Sequence, residues 1–413
     1  MMKVVIVGGV AGGAGTAARL RRNDETAEII MLERGAYISY ANCGLPYYIG
    51  GVITDKDALQ LQTPERFHAR FNVDVRVDSQ VVSVDTEKKC VVVRHGEETY
   101  EESYDKLVLS PGAGPVRPGI PGIGENHVFT LRNIPDTYAV YDFVKEHKPA
   151  SCAVIGAGFI GLEMAENLAE QGIRVSVVEG AGHVMPPMDM DMAHAVHNYI
   201  RAQGIGLYLG HTCASMDKDG VILDNGARVP ADMVIMSIGV RPDTGFLKDS
   251  GIELGARGEI LVNQYMETTV PHVYGAGDVC GLSGIWPNAM KQGVTAAKNM
   301  CGIPTVYDDT YAMKNTMNFF GLPALCIGDI NCAGDNTQVI TEEDRHNYRK
   351  ALVEDGILKS ILLLGDISGS GIYQYLIKNR IKLPVTGRDI FRLSFADFYG
   401  FDKTDGKYAW NCL

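Results

Sequence analysis

The chain of 413 residues contains no run of 18 apolar residues, so no membrane-spanning helix is expected. Positive charge is in deficit. The 38 Lys and Arg against 50 Asp and Glu leave a formal charge of −12, which argues against a nucleic-acid-binding surface as the main business. With 46% hydrophobic, 21% charged and 8% aromatic residues the composition is that of an ordinary soluble globular protein, which excludes a disordered or fibrous chain. The nine cysteines follow no paired spacing. This excludes a disulfide scaffold and suggests thiols kept in a reducing compartment. Low-complexity stretches and solenoid periods are absent. Met1-Met2-Lys3 leads straight into a valine-rich strand with no apolar signal region, so a cytoplasmic protein is expected. At ~150 residues per domain, the length predicts two or three domains.

What is present is one pattern used twice. Val4 to Val7 reads as a buried strand, Gly8 to Gly13 as a glycine turn, Ala14 to Arg22 as a helix, and Ile29 to Leu32 as a strand ending at Glu33. Cys152 to Ile155, the turn Gly156 to Gly161, a helix Leu162 to Gln171 and the strand Val175 to Val178 ending at Glu179 repeat it. Near-continuous apolar strands belong to parallel sheets covered on both faces. A glycine turn between strand and helix lets a pyrophosphate approach the backbone at a helix N-terminus. The second turn carries the full spacing at Gly156, Gly158 and Gly161, whereas in the first Val10 stands at the middle position between Gly8 and Gly13. Glu33 and Glu179 are each placed to accept hydrogen bonds from a ribose diol. Glu179 also repels a 2′-phosphate, and Gly180 to His183 supply no cation to hold one, so NADH is favoured over NADPH.

Much of Asp74 to Val93 alternates as antiparallel strands do, and Leu107 to Ala113 and Val234 to Pro242 read as paired crossings between domains. Near Tyr307 the character changes. Met317 to Ile327, Thr337 to Thr341 and Arg349 to Leu364 read as strands of a mixed domain, with a helix from about Gly371 to Arg380. Met185 to Met192 reads as packing and a helix start.

Thr268 to Asp278, coming after two dinucleotide turns, resembles the second FAD fingerprint of the two-dinucleotide-binding flavoproteins. Ser39-Tyr40-Ala41-Asn42-Cys43-Gly44-Leu45-Pro46 follows Glu33 closely, so Cys43 starts beside the expected flavin, and the helix opening at Leu45-Pro46 would favour its thiolate. The chain resembles the single-cysteine pyridine nucleotide-disulfide oxidoreductases, and most closely their coenzyme A-disulfide and coenzyme A-persulfide reductase branch. Tyr48 stands where a two-cysteine enzyme carries its second thiol, and Ala11 where a peroxidase or oxidase of the NADH-dependent branch typically carries a histidine.

The resemblance implies an α/β fold with two Rossmann-like dinucleotide-binding domains, as in glutathione reductase, plus a C-terminal α+β interface domain. The expected division is FAD binding by 1–110 and 238–305, NAD binding by 111–237, and an interface domain at 306–413. It implies cofactor contacts at Gly8, Val10, Ala11, Gly12, Gly13, Glu33, Arg132, Gly277, Asp278, Ala289, Gly156, Gly158, Phe159, Ile160, Gly161, Glu179 and Gly239. Main-chain nitrogens at the start of the Trp286 to Gly293 segment would face the flavin pyrimidine.

Cys43 and Glu163 are the implied catalytic pair. Glu163 reads equally as an acid tuning the flavin and as a helix-start carboxylate. Arg19, Arg22, Ser39 and Asn42 fall where the branch contacts coenzyme A, although Arg19, Arg21 and Arg22 also read as a solvated helix face. The branch's lysine after Thr63 to Phe67 is replaced by Phe71, with Arg70 beside it.

From about Met290 the resemblance shifts. The branch's active-site histidine near Lys291 and its C-terminal proline-tyrosine motif are missing. Gly356 to Asp366 and Tyr373 to Arg380 instead resemble the C-terminal domain of NADH:rubredoxin oxidoreductases and nitrite reductase flavoprotein segments. The expected activity is therefore FAD- and NADH-dependent reduction of a coenzyme A disulfide or persulfide through Cys43. The alternatives are electron transfer to rubredoxin or another protein acceptor, and NADH oxidase activity. A homodimer is expected, with no nucleic-acid or membrane partner. Cys326 and Cys332 lack a second pair at ligand spacing, so no metal site is expected. Cys412 reads as a bystander thiol or as a tail exchanging with Cys43.

Overall fold

In a computed structural model, residues 1–185, 188–309, 314–330, 334, 336–402 and 406–410 are described, with the backbone alone for 401, 402 and 407–410. Cys332 and Cys412 lie outside the described residues. Among the described residues no helix is long and apolar enough to cross a membrane.

The two repeated patterns build two parallel five-stranded sheets. The first runs in the order Val273–Gly275, Lys106–Leu109, Lys3–Val7, Glu28–Leu32, Asp74–Arg76. The second runs Gly206–Leu209, Arg174–Glu179, Ser151–Ile155, Met233–Met236, Val128–Thr130. In each, the central strand is buried almost end to end, as a parallel strand covered on both faces must be. The alternating region is corrected at its start. Asp74–Arg76 pairs in parallel with Ile30 to Leu32 and closes the first sheet. Ser79–Asp85, Cys90–His95 and Glu98–Ser103 do form an antiparallel sheet. The two expected crossings are paired antiparallel, with Val240 opposite Pro115 and Pro242 opposite Ala113.

The helix after the first glycine turn begins at Ala11, three residues before its expected start, and runs to Asn23. Gly12 and Gly13 therefore form its first turn. The Trp286–Met300 helix crosses it at glycine contacts: a Cβ on Gly293 would overlap the Gly12 carbonyl oxygen. The C-terminal antiparallel sheet runs in the order Lys314–Phe319, Leu322–Gly328, Ile357–Leu364, Tyr348–Glu354, Gln338–Glu343. One face covers the Ser370–Asn379 helix through Leu325, Ile361 and Leu376. From the other face, Met317, Phe319 and Leu362 join the core that holds Leu45, Ile49 and Leu168. This shared core fixes the C-terminal sheet against the short Leu45–Ile49 helix, and so against Cys43.

Candidate active site

Gly8 leaves the first strand at φ +97°, and a Cβ there would overlap the Ser110 carbonyl oxygen. A Cβ on Gly13 would overlap the carbonyl oxygen of Gly8. These two glycines let strand and helix meet, and the first-turn nitrogens then open onto a cavity lined by Val10, Ala11 and Gly12. No side chain caps that helix at Val10. Glu33 closes the turn: its Oε2 accepts from the Gly9 nitrogen at 2.8 Å and its Oε1 from Gly35 at 2.9 Å. Burial holds this carboxyl above its ordinary range.

The second turn repeats the geometry. Gly156 has φ +102°, and Gly161 packs onto its carbonyl. Glu179 accepts from the Ala157 nitrogen at 2.7 Å and from Ala181 at 2.8 Å. Gly158 precedes the Phe159–Glu170 helix with open space where its Cβ would lie. Gly239, at φ +110°, stands in the Val234 to Pro242 crossing. An uncapped helix start with a glycine cradle, completed by a carboxylate at the next strand, is the donor set that a dinucleotide needs, and both turns carry it.

The first cavity also gathers Arg132, Gly277, Asp278 and Ala289 with Asn42 and Cys43. Asp278 accepts from Arg132 Nη2 at 2.6 Å, and Arg132 Nε donates to the Ala113 carbonyl at 2.9 Å. Asn42 Nδ2 donates to the Arg132 carbonyl at 3.2 Å.

A second cavity of about 600 Å³ shares Asn42, Cys43, Arg132, Gly284 and Trp286 with the first. It extends past Phe159, Ile160 and Glu163 to Lys291 and to Lys314, Asn315, Thr316 and Gln374 of the C-terminal unit. Cys43 thus lies where the two cavities meet. It is exposed to them, yet the surrounding walls still desolvate it and push the thiol up, and the Glu163 and Asp278 carboxylates add to this, against Arg132. The expected thiolate stabilisation is corrected here. The helix Leu45–Ile49 has only five residues and Cys43 sits in the Asn42–Gly44 turn before it, and the direction is set first by desolvation of the thiol and then by the two carboxylates. Glu163 is pushed up to about 7 by burial, with Glu166 adding to the shift.

The coenzyme A positions are dispersed. Arg19, Arg22 and Ser39 line neither cavity. Arg22 lies 5.5 Å over the Phe71 ring, and Arg19 Nε is buried without a partner among the described residues. Arg21 is half-buried and tied to the backbone: it donates to the carbonyls of Phe71, Asn72, Asp24 and Glu25. Ser39 is buried at φ +45°, its nitrogen donating to the Gly9 carbonyl at 2.9 Å. Asn42 alone of the four reaches the thiol cavity. Sequence reasoning passed over Tyr40, Ser110, Lys314 and Gln374 as wall residues. Lys314 and Gln374 carry no local motif and arrive through tertiary packing.

Residues 2–293 match the family described as pyridine nucleotide-disulphide oxidoreductase, and residues 314–381 match the rubredoxin NAD+ reductase C-terminal domain. A coenzyme A disulfide reductase of Staphylococcus aureus (strain N315) is 36% identical over 341 residues, covering 79% of this chain and 77% of that protein. The crystal structure of reduced Bacillus anthracis CoADR-RHD is 38% identical with a TM-score of 0.88, over 95% of this chain and 76% of that one. An NAD-dependent persulfide reductase from A. fulgidus is 27% identical with a TM-score of 0.85, over 94% of this chain and 80% of that one. With more than half of its length matched and its two dinucleotide turns in place, the chain belongs to the pyridine nucleotide-disulphide oxidoreductase family.

Proposed function

We propose that this protein is an FAD-dependent NAD(P)H oxidoreductase that reduces a coenzyme A disulfide or persulfide, or a similar small sulfur compound, through Cys43. The observation that carries this reading is the position of Cys43 on the wall shared by two cavities. One is lined by the FAD-type turn, and the other by Phe159, Ile160 and Glu163 of the second dinucleotide unit. Val10, Ala11, Gly12, Glu33, Gly277, Asp278 and Ala289 would hold FAD, and Gly158, Glu179 and Gly239 would hold the nicotinamide nucleotide. FAD, when bound, relays the two electrons of a hydride to sulfur.

The chain's own residues do the rest. Cys43, as thiolate, forms a bond to one sulfur of the acceptor while the acceptor's S–S bond breaks and the other sulfur leaves as a thiolate. Glu163, held protonated to about pH 7 by burial, hands its proton to that leaving group. Glu179 favours NADH over NADPH, because its carboxylate sits at the ribose position of the second turn. Residues 1–110 with 238–305, 111–237 and 306–413 serve in this reading as FAD, NAD and interface domains of a cytoplasmic homodimer.

The match of residues 314–381 to a rubredoxin NAD+ reductase domain supports a second reading, electron transfer to a small protein acceptor, in which Cys43 is dispensable. Anaerobic NADH oxidation by the FAD-loaded protein separates the two. With coenzyme A disulfide or persulfide, Cys43→Ser is expected to lose turnover while keeping bound FAD and its reduction by NADH. Sulfur turnover retained by Cys43→Ser overturns the first reading, and turnover with rubredoxin that survives the substitution establishes the second.

A further inference from the structure

Three cations line the 600 Å³ cavity beside Cys43, and they are not equivalent. Arg132 is paired with Asp278 at 2.6 Å. Lys291 is paired with Asp309, whose side chain is 4% exposed. Lys314 meets no carboxylate among the described residues, and its Nζ reaches only the Ser370 hydroxyl, at 3.3 Å. The surrounding wall is largely apolar, built by Leu45, Leu131 and Phe159 among others. Lys314 is half-buried, so its ammonium stays open to an anion that enters the cavity. Glu163, the cavity's own carboxyl, is held largely neutral below pH 7 by burial and does not fill that role.

We propose that Lys314 forms an anion subsite of the thiol cavity, which draws a negatively charged sulfur substrate to Cys43. This deepens the reading of Cys43 as the reacting thiol and rests on it. The recognised class is an acceptor carrying its charge near the reacting sulfur, such as a persulfide or polysulfide anion. It needs no contact from Arg19 or Arg22, which lie off this cavity. Lys314 is thus a specificity residue contributed by the first strand of the C-terminal sheet, beyond the two dinucleotide units.

The test uses two alkylating probes of different charge on the oxidised, FAD-loaded protein. In each reaction the Cys43 thiolate displaces iodide and forms a C–S bond, and modification of the Cys43 peptide is followed by mass spectrometry. In Lys314→Met the rate ratio of iodoacetate to iodoacetamide is expected to fall about threefold to tenfold at low ionic strength. Lys314→Arg is expected to keep the ratio, and added salt to shrink the difference. An unchanged ratio in Lys314→Met, with FAD content intact, overturns the proposal.

Steady-state turnover adds a second arm. The KM for inorganic polysulfide is expected to rise about tenfold in Lys314→Met, with kcat and the KM for neutral hydroxyethyl disulfide unchanged. A rise confined to the KM for NADH would assign the lysine to the nucleotide phosphates and overturn the substrate role. A changed alkylation ratio without turnover of any sulfur acceptor would keep the anion subsite and overturn the sulfur-reductase reading instead.

Discussion

Glu33 and Glu179 occupy equivalent places at the ends of the second strands of their strand–turn–helix–strand units. Each carboxylate binds the main-chain nitrogen just after the first glycine of its turn and the nitrogen two residues beyond itself, through Gly9 and Gly35 in one case and Ala157 and Ala181 in the other. One device therefore sets both nucleotide turns, and its charge bears on cofactor choice. Replacing Glu179 with Gln and Ala181 with Arg removes the repulsion and supplies a cation for a 2′-phosphate. The kcat/KM ratio of NADPH to NADH is expected to rise at least about tenfold. No change in that ratio would remove Glu179 from the specificity argument.

The glycines of the second turn separate folding from binding. Gly158 has open space at its Cβ position and an ordinary φ of −75°, so Gly158→Ala is expected to leave the Tm within about 1 °C and to raise the KM for NADH severalfold. Gly161→Ala drives a methyl into the Gly156 carbonyl, and the soluble yield or Tm is expected to drop sharply. Equal thermal effects of the two substitutions would contradict this division.

Cys43 carries a raised thiol pKa because its walls desolvate it and carboxylates flank it. Glu163→Gln removes the larger of the two carboxylate contributions, so the thiol pKa is expected to fall. Iodoacetamide at pH 8 is then expected to alkylate Cys43 about two to five times faster than in the wild type. A slower reaction would reverse the sign assigned to this pair.

Glu163 also ties stability to pH. Its folded-state pKa is raised from 4.5 to about 7, so the protonated form is the one the fold accommodates. Its contribution is complete below the unfolded value and is lost as the pH rises through about 7. Glu163→Gln is expected to raise the Tm by a few degrees at pH 8, from about 1–3 kcal/mol, and to change little at pH 5. Thermal scans at the two pH values check the difference, and a gain of equal size at both would exclude an electrostatic origin.

The strand pair at the centre of each parallel sheet, the glycine turns and their carboxylates were determined by the sequence alone, because each depends on contacts within one strand–turn–helix–strand unit. Gly8 and Gly13 are five residues apart, and the close approach they permit is between their own backbones. The Cys43 segment was legible for the same reason: it follows Glu33 directly along the chain. Tertiary structure decided the remainder. Asp74–Arg76 reads as an alternating strand like its neighbours, but the vacant edge beside Glu28–Leu32 claims it for the parallel sheet. Arg132 follows a strand of the second sheet and Asp278 a strand of the first, and these residues, 146 apart in sequence, meet where the crossing strand at Ala113 brings the two sheets together. The Cys43 thiol is raised first by the walls that desolvate it and then by Glu163 and Asp278, from two distant elements, where the local pattern pointed to a helix dipole. Lys314 carries no motif at all and reaches the cavity because Met317 and Phe319, on the same strand, are buried in the core beneath the Leu45–Ile49 helix. Spacing along a chain records short-range geometry, whereas the electrostatics of a cavity sum over every wall that folding brings to it.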